Sequence, residues 1–182
     1  MSSSKHTRRR LLTMAAGAGA MALAPGLAQP AHAEDAIGIM AIGDPIHRSA
    51  VIDRAWTWVN RGVQYSQQGV ADDAERNHTY RRDCSGFVSM CWHLRPSGIG
   101  CPWTGSLGDY SRAKAKANLQ RGDILLDPGN HVVLFQHWTN DAHTTFMLFE
   151  LGNPTSDMNH REASLSSYGG FTAREYNKIV DG

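Results

Sequence analysis

The segment that most restricts the fold runs from Cys84 to Leu94. Counting from Cys84, Phe87, Val88, Cys91 and Trp92 fall at i+3, i+4, i+7 and i+8, and Leu94 extends the stripe. That spacing predicts a buried helix with Cys84 in its first turn, ending before Pro96, which disfavours helical backbone in the residue ahead of it. A helix this apolar must be covered, so the rest of the chain has to provide its packing surface.

Upstream, Asp44-Pro45 and Ser49 are starts for a first helix, in which Val51, Ala55, Trp58 and Val59 recur with helical spacing. Asp53, Arg54 and Arg61 face outward, and Gly62 ends it. The polar stretch from Ser66 to Arg82 reads as an irregular, exposed loop. Beyond a Gly/Pro-rich connector and a basic segment at Arg112 to Lys116, the pattern changes to short apolar runs at Ile124 to Leu126, His131 to Trp138, Thr144 to Leu151 and Phe171 to Val180. Asp127-Pro128-Gly129-Asn130 and Thr139 to His143 are turn sequences between them. Helices first and antiparallel strands afterwards predict an α+β domain.

The first 33 residues read as an export signal. A basic start up to Arg10, an apolar stretch from Leu11 to Leu27 and the small-x-small run Ala31-His32-Ala33 fit a cleaved leader, and Thr7-Arg8-Arg9-Arg10-Leu11-Leu12 is similar to a twin-arginine signal. The apolar stretch is short for a bilayer span, which needs about 20 residues, so a secreted protein without stable membrane insertion is expected. Residues 34–48 then form an N-terminal extension and 49–182 one catalytic domain. Without Lys5, Arg8, Arg9 and Arg10, fourteen basic residues face 17 acidic ones, a mature charge near −3 that gives nucleic acid no electrostatic purchase.

Three cysteines enter an oxidising compartment. Cys91 and Cys101 flank a flexible segment with Pro96, Gly98 and Gly100, and are the expected disulfide. Cys84 and Cys91 lie seven residues apart on one helix, about 10 Å along its axis, too far for a bridge. Cys84 is left as a free thiol.

A thiol attacks as its thiolate, and a helix N-terminus and a neighbouring imidazole both favour that form. Cys84 is placed for both. His131 opens a strand directly after a turn, where it can lean over the helix end as a general base. A third group should orient the imidazole, and Glu150 on the next strand is the candidate. A hairpin centred between Asn140 and Asp141 pairs His131 with Glu150, whereas a shift of one residue would turn Glu150 to the other face unless a bulge recovered it. Asn153 or His143 would then be the better orienter. Gly86 lets a substrate approach the backbone.

Arg82-Asp83-Cys84-Ser85-Gly86-Phe87-Val88, then Leu119-Gln120-Arg121-Gly122-Asp123-Ile124-Leu125, then Asn130-His131-Val132-Val133-Leu134-Phe135 resemble, in order and spacing, the NlpC-type cell-wall peptidases of the papain-like superfamily. With Tyr65 upstream, the resemblance spans roughly Ser49 to Gly152. It implies a papain-like fold, with N-terminal helices packed on an antiparallel sheet and the nucleophile at a helix N-terminus. It implies cleavage of peptidoglycan stem peptides, with Cys84 as nucleophile, His131 as base, and Asp83, Ser85 and Tyr65 grasping the amino end of the substrate. Two departures stand out. The third catalytic group in that family is usually His, Asn or Gln rather than a Glu at 150, and the aromatic and paired glycines that normally follow the tyrosine are replaced by Ser66-Gln67-Gln68.

Other readings compete. An amidase cutting the sugar–peptide amide, an acyltransferase, or a secreted binding or inhibitory protein without turnover would use the same scaffold. Asp123 reads as turn chemistry, and the tryptophans as core, although Trp103 in its Gly/Pro loop can line a groove. His131, His137 and His143 recur every six residues, but no His-x-x-x-His or Cys-x-x-Cys unit is present. No metal, no cofactor and a monomer are expected.

Overall fold

The computed structural model describes residues 41–181. The predicted leader, 1–33, and positions 34–40 of the extension lie outside the described residues. The chain is a mixed α+β fold with a mostly antiparallel sheet. Its order is β1 (Ile46–His47), α1 (Arg48–Asn60), β2 (Ser66–Asp72), β3 (Thr79–Arg82), α2 (Cys84–Cys91), β4 (Ser111–Ala113), β5 (Ile124–Asp127), β6 (His131–Trp138), β7 (Thr145–Glu150), β8 (Asn159–Ser164), β9 (Thr172–Tyr176) and β10 (Ile179–Val180), with short 3-10 turns between. Six strands form an antiparallel sheet in the order β4-β9-β5-β6-β7-β8, β2 and β3 make a separate hairpin, and β1 pairs in parallel with β10.

Side chains alternate across a strand, and here both faces of the sheet are buried. Ile124, Leu126, Val132, Leu134 and Phe149 join a cluster with Trp58, Phe87, Val88, Cys91 and Trp92 of the two helices. Leu125, Val133, Phe135, Leu148 and Ala173 join another with Leu119 and Tyr168 on the opposite face. Burial on two faces explains why β5 and β6 read as continuous apolar runs rather than alternating ones.

Ile46 is fully buried and the Arg48 guanidinium bonds Asp123 at 2.6 Å, Glu175 at 2.6 Å and Asp181 at 2.5 Å, so residues given by the sequence to the extension pin α1 to the sheet. Lys114 adds bonds to Asp123 at 2.7 Å and Glu175 at 2.8 Å. Asp123 also accepts the Gln120 N–H, which makes it a structural carboxylate.

Three expectations are corrected. Ser66 to Arg82 is a two-stranded hairpin, β2 with β3, rather than an irregular loop; β2 has no buried residue and β3 only Tyr80, so no apolar period marks it. Arg54 is buried rather than outward, because its guanidinium bonds the Met90 carbonyl at 2.8 Å and pairs with Glu75. Cys91 and Cys101 are free thiols, against the expected bridge. The Cys101 thiol donates to the Pro102 carbonyl at 3.7 Å, and Cys91 is fully buried in the core as a separate thiol.

The helix α2 stops at Cys91 for a local reason. His93 takes φ +53°, its N–H bonds the Met90 carbonyl at 3.2 Å and the Leu94 N–H bonds the Ser89 carbonyl at 2.8 Å. That is a Schellman stop with histidine in the left-handed position that glycine usually fills.

Candidate active site

Asp83 starts the helix. Its Oδ1 accepts the Gly86 N–H at 2.6 Å and the Ser85 hydroxyl at 3.0 Å, the N-cap bond that fixes where the helix begins. Cys84 is therefore the first helical residue. The Phe87 N–H bonds the Asp83 carbonyl, so the N–H groups of Cys84 and Ser85 are the ones the first turn leaves without an intrahelical acceptor. Gly86 has a different reason from the one expected: a Cβ there would sit 2.1 Å from the Arg81 carbonyl oxygen, so the residue is small for packing, not for substrate access.

The tight turn at Asp127 to Asn130, closed by the Asn130 N–H on the Asp127 carbonyl at 3.0 Å, makes His131 the first residue of β6. Its Nε2 lies 2.9 Å from Glu150 Oε1, and its ring is also within hydrogen-bonding reach of the Cys84 thiol. With Nε2 engaged by the carboxylate, Nδ1 is the nitrogen that remains for sulfur. Burial pulls the His131 pKa down, but the Cys84 and Glu150 hydrogen bonds outweigh it and raise it to about 9. Glu150 Oε2 is held by Arg161 through Nε at 2.9 Å and Nη2 at 2.6 Å. Burial works to raise the Glu150 carboxyl, yet His131 and Arg161 hold it below the ordinary carboxylate range.

The register behind this contact differs from the expected one. Near the turn Trp138 pairs with Phe146, three residues from the predicted alignment, an odd offset that alone would turn Glu150 away. A bulge between Phe135 and His137 makes the offset even, and Leu134 pairs with Phe149. One step along, Glu150 opposes Val133, on the same face as His131 and diagonal to it. Neither Asn153 nor His143 is needed: Asn153 bonds its own loop at Thr155, and His143 stacks on Trp138 at 4.4 Å.

The residues expected at the substrate's amino end meet a partner the sequence reading missed. Arg81 Nε bonds Asp83 Oδ2 at 2.8 Å, Nη2 lies 3.0 Å from Ser85 Oγ, and Nη1 and Nη2 hold the carbonyls of Cys101 and Pro102. Asp83 is thus ion-paired, and the exposed Trp103 follows the Pro102 carbonyl that Arg81 holds, its ring lying over Gly105. Ser66 pairs with Arg82, so Tyr65 lies alongside the residues just before Cys84. Arg161 was missed as well, because β8 is a polar edge strand with no apolar alternation. Arg81 had a signal in sequence, its position two residues before Asp83.

Among the described residues no helix is long and apolar enough to cross a membrane. No protein-family model and no curated protein matches the chain. Among solved structures, a form of the Resuscitation Promoting Factor Interacting protein RipA mutated at one histidine is similar at 20% identity with a TM-score of 0.49, over 71% of this chain and 61% of that one.

Proposed function

We propose that the chain is a cysteine hydrolase that cleaves an amide bond of peptidoglycan stem peptides on a papain-like scaffold. What carries this reading is a single contact set: a thiol at the first position of a helix, an imidazole in reach of it, and a carboxylate 2.9 Å from the far nitrogen of that imidazole. The first and third of the sequence blocks that resemble the NlpC-type peptidases supply Cys84 and His131 in the same order, and Glu150 lies beyond them.

In this reading the Cys84 thiolate adds to the scissile carbonyl carbon, and the oxyanion is met by the Cys84 and Ser85 N–H groups at the positive end of α2. The protonated His131 donates to the leaving amine as the C–N bond breaks, leaving a thioester on Cys84. Neutral His131 then takes a proton from water, which attacks the thioester and frees the acid. Glu150 holds the ring orientation and favours the imidazolium, a stronger bias than a neutral amide gives. Arg161 keeps Glu150 ionised. Asp83 and Ser85, with Arg81 between them and the Trp103 loop, hold the substrate on the other side of the sulfur, and Tyr65 lies beside them.

Digestion of purified peptidoglycan tests the reading. The protein should release stem-peptide fragments whose masses fix the bond, and Cys84→Ala should release none. Intact peptidoglycan after prolonged incubation with folded protein would reject it and favour a binding protein.

A further inference from the structure

At the other end of α2, Asp73, His78 and His93 converge: one oxygen or ring nitrogen from each lies within 4.8 Å of the other two. Asp73 is fully buried and His93 is 4% exposed. His93 Nδ1 is buried without a hydrogen-bond partner, which in a folded protein calls for a ligand. The carboxylate is already arranged. Asp73 Oδ1 accepts the N–H groups of Asn77 at 2.9 Å and His78 at 3.3 Å, leaving Oδ2 toward His78 Nδ1 at 3.3 Å.

That last distance is long for a hydrogen bond but matches the edge of a tetrahedron with bonds of about 2.0 to 2.1 Å, which is about 3.3 Å. Two imidazoles and one carboxylate form a donor set that suits zinc-class ions over magnesium or calcium. Of the cations around the cluster, Arg54 is neutralised by Glu75, which binds it through both oxygens, and Arg76 lines the surface cleft with His78. His78 is partly exposed and lines a surface cleft with Asp72, Pro96 and Ile99, which provides an entry path and room for a water ligand.

We propose that Asp73, His78 and His93 bind one divalent transition-metal ion of the zinc class, with water completing the coordination. Bound there, the ion ties the tip of the β2–β3 hairpin to the C-terminal end of the nucleophile's helix. It also gives a reason for histidine in the left-handed stop position, where a glycine would fit without strain. The site is independent of the Cys84 chemistry.

The test uses tag-free protein carrying Cys84→Ala, since a thiol and an imidazole together also capture zinc. Zinc titrated against a chromophoric chelator should give one equivalent bound, and cobalt(II) should give the visible absorption of a four- or five-coordinate ion. His78→Ala, a change at a partly exposed position, should weaken zinc by at least about 100-fold and abolish that absorption. His93→Gln should do the same. If His93→Gln does not fold, His78→Ala decides alone. Less than one equivalent bound at about 10 μM free zinc, or binding unchanged by His78→Ala, would overturn the proposal.

Discussion

The two ends of α2 are built from similar parts and were unequally visible. At its start, Cys84, His131 and Glu150 bring a thiol, an imidazole and a carboxylate together; at its far end, Asp73, His78 and His93 bring a carboxylate and two imidazoles. In the first set His131 stands between the other two, 2.9 Å from Glu150 and within reach of the Cys84 thiol. The second leaves a buried ring nitrogen without a partner. A nucleophile needs a proton acceptor already aligned, whereas an incoming ion supplies its own bonds. On the two proposals above, that difference in hydrogen bonding is what separates a site for covalent chemistry from one for coordination.

The largest effect that can break this comparison is at the sulfur. Cys84→Ala should lower peptidoglycan cleavage by at least about 10⁴-fold with the melting temperature nearly unchanged, and a small loss of activity would move the chemistry elsewhere. His131→Ala should follow, with a loss of about 10³-fold, read as kcat at fixed substrate.

The carboxylate sharpens the comparison through pH. His131 is held protonated up to about 9, burial opposing and the Cys84 and Glu150 hydrogen bonds prevailing. The competent pair should therefore persist through neutrality and be lost as pH rises through about 9. Glu150→Gln keeps a hydrogen-bonding group but removes the charge, so the basic limb of kcat/KM should move down by about one unit. A basic limb that does not move would detach Glu150 from the imidazole. The same shift bears on stability: a raised histidine contributes fully below its unfolded pKa and loses that contribution as pH climbs through about 9.

Two smaller effects separate scaffold from site. Arg48→Met leaves Asp123 with Lys114, and Glu175 with Lys114 and Arg112, and should destabilise the fold by about 3 kcal/mol in denaturant melts while sparing cleavage per folded molecule. Asp83→Asn preserves the helix cap, since asparagine caps as well as aspartate, and should change stability by about 0.5 kcal/mol or less. Any rise in KM then reports the Asp83–Arg81 pair acting on substrate.

How much of this was readable from sequence follows the same physical division. The helix beginning at Cys84 and the strand beginning at His131 were legible because apolar periodicity and turn residues mark them. Glu150 was named from a register that was wrong by two residues, and the contact exists because a bulge at Gln136 restores the parity. No pattern announces a bulge inside an apolar run. The β2–β3 hairpin and β8 stayed hidden because strands at an edge or in a half-exposed ribbon need not alternate. Asp73 and His78 sit on that hairpin's turn, and His93 is fifteen residues past His78, so their meeting depends on two elements the periodicity did not reveal. The Cys91–Cys101 pairing is the other miss: sequence separation allows it, but the structure buries the two as separate free thiols.

In the proposed mechanism the sulfur of Cys84 becomes acylated by substrate. Acid quenching during turnover of a soluble stem-peptide fragment, followed by proteolysis and mass spectrometry, tests it most directly. The peptide containing Cys84 should gain the mass of the acyl half of the cleaved fragment, and hydroxylamine should remove it. Turnover with no adduct on Cys84, or with the acyl group on another residue, would contradict it.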